Sequence, residues 1–251
     1  MAQHSPLVVA HRGSSGVAPE NTLAAFRQAI ADGADMIELD VRMTKDFELV
    51  VLHDRSVNRT TNGKGKVWDL TLADLLALDA GSWFGRKFSG ERIPTLRQVI
   101  DLLPHHINLN TEVKTDGERR KRLAFEELLL LLLREKNISR RVLVSSFDHD
   151  FLRRFHALDP KIKIGALYYP LRDAARKPSV LARRVGASVF ICSVAQLRKR
   201  FVDDTERNGI ALACYGVNSR RQLAKAKQCG VKIVVTDYPK EIRKLLRAAS
   251  R

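Results

Sequence analysis

Cysteine is scarce in this chain, with three residues, an odd number and none in C-x-x-C spacing, which argues against a disulfide framework or a zinc site. Cys192, Cys214 and Cys229 lie among apolar neighbours and read as reduced core residues of a cytoplasmic protein. Only 14 Gly and 8 Pro are spread over 251 residues, which excludes collagen-like and low-complexity classes. Long apolar runs are missing too. The densest, Leu128 to Leu133, is flanked by Glu126, Glu127, Arg134 and Glu135 and is far shorter than the roughly 18 residues a bilayer span needs. Met1 to Val9 has neither a basic region nor a long apolar segment, so a secretory leader is not expected. With hydrophobic residues at 45%, enough apolar surface remains to build the core of one large α/β domain.

Acidic residues are outnumbered, 28 against 44 Lys and Arg, for a formal charge of +16. The imbalance is local: residues 1–114 hold 13 basic and 14 acidic side chains, whereas 115–251 hold 31 and 14. Such a field attracts anionic partners, among them phosphorylated metabolites and lipid headgroups. Clusters such as Arg119-Arg120-Lys121-Arg122 and Arg198-Lys199-Arg200 also fit solvated helix faces, and no zinc-finger or RNP-type pattern accompanies them, so specific nucleic-acid binding is not expected.

Short β-branched runs alternate with longer helical patterns, the signature of βα units on a parallel sheet. Strands are expected at Leu7 to Ala10, Met36 to Val41, Leu49 to Leu52, Ile107 to Val113, Val142 to Ser145, Ile164 to Leu167, Val189 to Cys192, Ala211 to Tyr215 and Ile233 to Thr236. Helices are expected at Thr22 to Asp32, Thr95 to Leu103, Glu118 to Lys136, His149 to Leu158, Val180 to Val185, Ala195 to Asn208, Arg220 to Cys229 and Glu241 to Ala249. Gly33, Gly186, Gly209 and Gly230 follow helices where a left-handed residue turns the chain into the next strand. Nine strands are one more than a TIM (β/α)8 barrel needs. Only Arg42 to Glu48 separate the second run from the third, too few for a parallel crossover, so these two form an antiparallel hairpin. A turn centred near Lys45 and Asp46 would set His53 opposite Glu38. Residues 54 to about 94 form a small insertion with one short helix near Leu72 to Leu78.

Polar groups recur at the carboxyl ends of these apolar strands, the face on which barrels carry their sites. Glu38 and Asp40 are two apart and share a strand face, and Glu112 meets them from a neighbouring strand. Three converging carboxylates call for a hard divalent cation, Mg²⁺ or Ca²⁺ with Mn²⁺ as a further option. The competing arrangement is ion pairing with Arg12, Arg42 or Lys114. His11 and His53 end different strands beside that cluster, as expected of an acid/base pair. Arg12 and Lys114 supply a forked donor and a point charge suited to phosphate.

Residues 8–63, VVAHRGSSGVAPENTLAAFRQAIADGADMIELDVRMTKDFELVVLHDRSVNRTTNG, carry H-R-G, P-E-N-T, E-L-D-V, H-D and R-T-T-N-G in order. GSWFG at 81–85, IPTL at 93–96, Glu112-x-Lys114, SSFD at 145–148 and TDYP at 236–239 follow. Together they resemble the glycerophosphodiester phosphodiesterase family over nearly the whole chain. The resemblance implies one catalytic barrel domain over 1–251 that hydrolyses a glycerophosphodiester to glycerol 3-phosphate and an alcohol. It also implies His11 and His53 as acid and base, and Glu38, Asp40 and Glu112 as ligands of the cation. Arg12 and Lys114 would hold phosphate, and Glu20 and Asn21 would support the site, although Asn21 or Thr22 could equally cap the following helix. Phe147 and Tyr215 are candidate glycerol contacts. Two blocks depart from the common pattern: Tyr215-Gly216-Val217-Asn218 stands where W-T-V-N is frequent, and N-T-E-V-K replaces I-E-I-K.

Two other readings compete. A lysophospholipase D-type enzyme would dock its basic half transiently on anionic membrane, with Trp83, Phe84 and Phe88 as an acyl wall unless they pack the insertion. A non-catalytic basic module for nucleic acid or membrane would instead lose its site residues. His4, His105, His106, His149 and His156 have no comparable setting, and Asp148 beside His149 and Asp150 is expected to cap a helix rather than bind metal.

Overall fold

Nine strands alternate with helices in the computed structural model, which describes residues 5–115 and 119–248, with the backbone alone at 119–122. They are β1 (Leu7–Ala10), β2 (Met36–Met43), β3 (Leu49–Val51), β4 (Asn108–Val113), β5 (Val142–Ser146), β6 (Lys163–Leu167), β7 (Val189–Ser193), β8 (Ala211–Tyr215) and β9 (Ile233–Thr236). Eight of them pair in parallel in the order β1-β9-β8-β7-β6-β5-β4-β2, and pairing of β1 with β2 closes the ring. This is the expected (β/α)8 barrel. β1 covers only the start of one β2 edge, through Met36 and Ile37, and β3 takes the remainder antiparallel, through Val41 to Met43.

Alternation along β2 shows how the barrel is filled. Ile37, Leu39 and Val41 face the surrounding helices and are fully buried, while Glu38, Asp40 and Arg42 take the opposite side and are also buried. On the helical side Phe26, Phe151, Phe155, Phe190 and Phe201 are fully buried, each worth about 1.5–3 kcal/mol relative to exposure. Inside, Leu143, Leu167, Val189, Ile191 and Ala213 cluster as an apolar floor. Gly165 leaves room there: a Cβ would lie 2.8 Å from Ile191 Cδ1 and 3.2 Å from Ser145 Cβ, and both side chains would have to shift.

The helices begin and end as their sequences dictate. Asp148 caps His149–Leu158 by accepting from the Asp150 and Phe151 amides, the expected alternative to a metal role. His149 is buried with Nε2 2.9 Å from the Leu167 carbonyl, a structural position. Gly33, Gly186, Gly209 and Gly230 all take positive φ, between 65 and 75°.

Three expectations need correction. The hairpin pairs Arg42 with Val50, so its turn centres on Asp46 and extrapolates His53 opposite Leu39, not Glu38. The helix before β8 begins at Lys199 rather than Ala195, because the Gln196 amide is first held by Ser193 Oγ. A short helix at Pro170–Asp173 was not anticipated. His4, Ala249, the Glu118 helix start and the side chains of Arg119 to Arg122 lie outside the described residues. Within 54–94, Val57, Val67, Leu75, Ala80 and Ile93 form a separate apolar cluster with Val50 and Leu52. Trp83, Phe84 and Phe88 pack edge to face in that insertion at 5.6 Å spacings.

Candidate active site

The carboxyl ends of the strands open on a cavity of about 210 Å³ whose lining includes His11, Arg12, Glu38, His53, Glu112, Lys114, Phe147 and Tyr215. Eight of the eleven anticipated residues thus meet in one place. Asp40, Glu20 and Asn21 stand behind them. Trp83, Phe84 and Phe88 do not line it.

Glu38 and Asp40 come from β2 and Glu112 from β4, with one oxygen of each within 4.8 Å of the others. Asp40 pairs with Lys114 Nζ at 3.0 Å and Arg12 Nε at 3.3 Å, and accepts from Asn21 Nδ2 at 2.9 Å. Burial opposes its charge, yet these partners hold its carboxyl well below the ordinary range. Glu112 bonds Lys114 Nζ. Burial and the Asp40 charge push Glu38 up to about 7. Its Oε2 accepts the Arg12 amide at 2.9 Å, but Oε1 is buried with no hydrogen-bond partner. The ion-pair alternative therefore accounts for Asp40 and Glu112 and leaves a Glu38 oxygen without a donor. An all-oxygen set with such an oxygen fits a hard divalent ion.

Each histidine is oriented by a carboxylate. His11 Nδ1 is 2.7 Å from Asp237 Oδ1, which leaves Nε2 4.0 Å from Glu38 Oε2. Burial disfavours the imidazolium, but the Asp237 bond and Glu38 outweigh it, and the His11 pKa rises. His53 Nδ1 is 2.7 Å from Asp54 Oδ1; there burial wins, reinforced by Arg12 and Lys114, and the pKa falls. His53 lies beyond the last β3 pair, so the ladder register does not fix its side. The buried Arg42, its pKa lowered to about 10 by desolvation, instead clamps the His53 carbonyl through Nε at 3.0 Å.

The loop after β1 explains the supporting residues. Arg12 and Asn21 adopt positive φ of 54 and 59°, a conformation uncommon for Arg and readily taken by Asn, and both side chains reach Asp40. Thr22, not Asn21, caps the following helix. Glu20 accepts Arg12 Nη1 at 2.9 Å and both terminal nitrogens of Arg59, at 2.9 and 2.7 Å. Arg59 also donates to Asp54, depressing that carboxyl to about 2.

Asp237, Asn218, Arg59, Asn110 and Ser145 were not singled out from sequence. Asp237 directly follows β9 and Arg59 opens R-T-T-N-G, so position at a strand end and block membership were the signals that could have found them. Asn218 Nδ2 reaches Asp237 Oδ2 at 2.5 Å, and Ser145 Oγ donates to Asn110 Oδ1 at 2.9 Å in the cavity floor. Phe147 lies 5.9 Å from Lys114 Nζ and packs its apolar face beside the cation.

Residues 11–241 match the model of the Glycerophosphoryl diester phosphodiesterase family. A glycerophosphodiester phosphodiesterase of Caldanaerobacter subterraneus is 40% identical over 242 residues, covering 96% of this chain and 98% of that protein. A solved phosphodiesterase of Oleispira antarctica in complex with the product sn-glycerol-3-phosphate is 30% identical with a TM-score of 0.88, covering 96% of this chain and 97% of that one. The glycerophosphodiester phosphodiesterase of Agrobacterium tumefaciens is 28% identical with a TM-score of 0.82, over 97% and 100% of the two chains.

Proposed function

Since the chain belongs to the glycerophosphodiester phosphodiesterase family and is an enzyme that hydrolyses glycerophosphodiesters to glycerol 3-phosphate and an alcohol, we propose that His11 and His53 are its acid/base pair. The observation that carries this reading is the pairing of each imidazole with its own carboxylate across a cavity shared with Glu38 and Glu112. Asp237 and Asp54 fix ring orientation and select the tautomer with Nδ1–H, so Nε2 of each ring is the proton-transfer atom. One Nε2 takes the proton of the nucleophile and the other protonates the leaving alkoxide.

Glu38, Asp40 and Glu112 would hold one divalent cation, Mg²⁺ or Ca²⁺ with Mn²⁺ as a further option. When bound, such an ion supplies Lewis-acid charge to a phosphate oxygen. Arg12 and Lys114 would share the remaining phosphate oxygens, held on the site by Glu20 and Asp40. Phe147 and Tyr215 provide the apolar side against which glycerol carbons rest, and Glu20 and Asn21 keep Arg12 and Asp40 in register. The whole chain, 1–251, acts as one catalytic unit with its insertion at 54–94. Two buried thiols 3.9 Å apart, Cys192 and Cys214, suit a reducing compartment such as the cytoplasm.

Release of glycerol 3-phosphate from glycerophosphocholine, glycerophosphoethanolamine and glycerophosphoglycerol tests this reading, with lysophosphatidylcholine as the acylated control, its turnover read as lysophosphatidate and choline. Turnover of the deacylated diesters is expected to dominate. Exclusive turnover of the lysolipid would transfer the enzyme to the lysophospholipase D class.

A further inference from the structure

Leu171 is 88% exposed, the highest value among the large hydrophobic residues described. It stands in the Pro170–Asp173 helix that follows β6, on the same carboxyl face as the cavity. Tyr169, 45% exposed, precedes it and packs edge to face against Phe147, which lines the cavity. Arg172 is exposed and ties the segment to the rim by donating to the Phe147 carbonyl at 2.6 Å. Asp173, fully buried, accepts from Arg172 and the Tyr169 amide, so the tip holding Leu171 is built rather than loose.

Cations surround this apolar tip. Arg176, 3.5 Å from Asp173 Oδ1, and Lys177 are exposed on the same segment, and Arg200, in the first turn of the Lys199–Arg207 helix, donates to the Ala174 carbonyl at 3.3 Å. Arg198 and Lys199 adjoin it, also exposed, whereas the nearby Asp203 is engaged by Lys199 and Asp204 by Ser179. A protruding leucine and tyrosine with exposed Arg and Lys on the same segment match the two layers of an anionic membrane surface, apolar acyl boundary and phosphate headgroups. Nucleic acid would use the cations and leave Leu171 in water.

We propose that the segment Tyr169–Lys177, with Arg200, docks the mouth of the barrel on an anionic lipid bilayer, Leu171 entering the interface. This surface lies outside the catalytic groups and would operate whichever phosphodiester is hydrolysed.

Co-sedimentation with vesicles of 30% phosphatidylserine in phosphatidylcholine, against pure phosphatidylcholine, tests it without requiring turnover, so its failure is separable from failure of the hydrolytic reading. Wild-type protein should bind the anionic vesicles and release them as salt rises. Each basic residue removed should weaken partition about fivefold, so Arg176→Ala/Lys177→Ala should lose about 25-fold. Leu171→Asp should lose at least about tenfold. All variants should keep wild-type hydrolysis of soluble glycerophosphocholine. Lys163→Ala/Lys232→Ala, exposed at the amino ends of β6 and β9 with the same charge change, should bind like wild type. No binding, equal binding to neutral vesicles, an equal loss in the Lys163/Lys232 pair, or binding to a DNA duplex instead of vesicles would each overturn the proposal.

Discussion

His11 Nδ1 and Asp237 Oδ1 lie 2.7 Å apart although 226 residues separate them, and the contact joins the strand that opens the barrel to the one that ends it. β1 and β9 pair through four residues, from Leu7 with Ile233 to Ala10 with Thr236, so the register that closes the ring also seats the imidazole. Asp237 is held in turn by Ser15 and Asn218. Asp237→Asn keeps the shape and removes the charged acceptor. It should lower kcat at least about tenfold with little change in KM, as steady-state kinetics would show. An unchanged kcat would remove Asp237 from the account.

The two histidines make the stronger claim. His11→Ala and His53→Ala should each reduce kcat by about 10²–10⁴-fold while circular dichroism stays that of wild type, because neither ring belongs to the apolar core. A folded variant of either kind keeping more than about a tenth of wild-type kcat would contradict the pair.

Arg59 bridges Glu20 and Asp54, and so links the side chain that steadies Arg12 to the one that orients His53. It comes from the insertion, which gives that segment a positioning role. Arg59→Ala should lower kcat by about tenfold, and Arg59→Lys should restore only part of it, since an ammonium lacks the fork that spans two carboxylates. Full activity of the lysine variant would show that charge alone suffices.

Asp79 organises the far side of the insertion. Its carboxylate accepts from the amides of Gly81, Ser82 and Gly90 at 2.9, 2.7 and 2.8 Å, and these bonds pull its pKa far below the ordinary value. A pKa depressed in the folded state contributes stability that is present above the unfolded value, near 4, and lost as pH falls through the lower folded value. Asp79→Ala should therefore destabilise at neutral pH, by about 1 kcal/mol or less because solvent screens this carboxylate, and the difference from wild type should shrink below about pH 4. Urea unfolding at pH 7 and pH 3 measures both; a deficit independent of pH would show that the carboxylate charge is not what matters.

Much of this was legible in the chain because alternation does two jobs at once. In Met36-Ile37-Glu38-Leu39-Asp40-Val41 the apolar positions declare a strand beneath helices, and the charged ones can only be inside a barrel, which already places a site. The hairpin register was not legible. Its turn contains no glycine; Phe47 takes a φ of 67° while Thr44 braces Asp46 and the Glu48 amide, so the centre sits half a residue from where Lys45-Asp46 suggests. Asp237 was missed because its partner is 226 residues away and only barrel closure brings them together. The Pro170–Asp173 helix was missed because a proline two residues beyond a strand reads as a break, yet here it opens a helical turn.

Calorimetric titration of Mg²⁺, Ca²⁺ and Mn²⁺ into chelator-stripped protein tests the central claim that Glu38, Asp40 and Glu112 gather around one ion. One of these ions should bind at one site per chain, with proton release below about pH 7 as Glu38 gives up the proton that burial makes it hold. The binding should vanish in Glu112→Gln and Glu38→Gln, and glycerol 3-phosphate formation should stop in excess EDTA and return with the ion. Full hydrolytic activity in excess chelator, with no binding heat from any of the three ions, would contradict it.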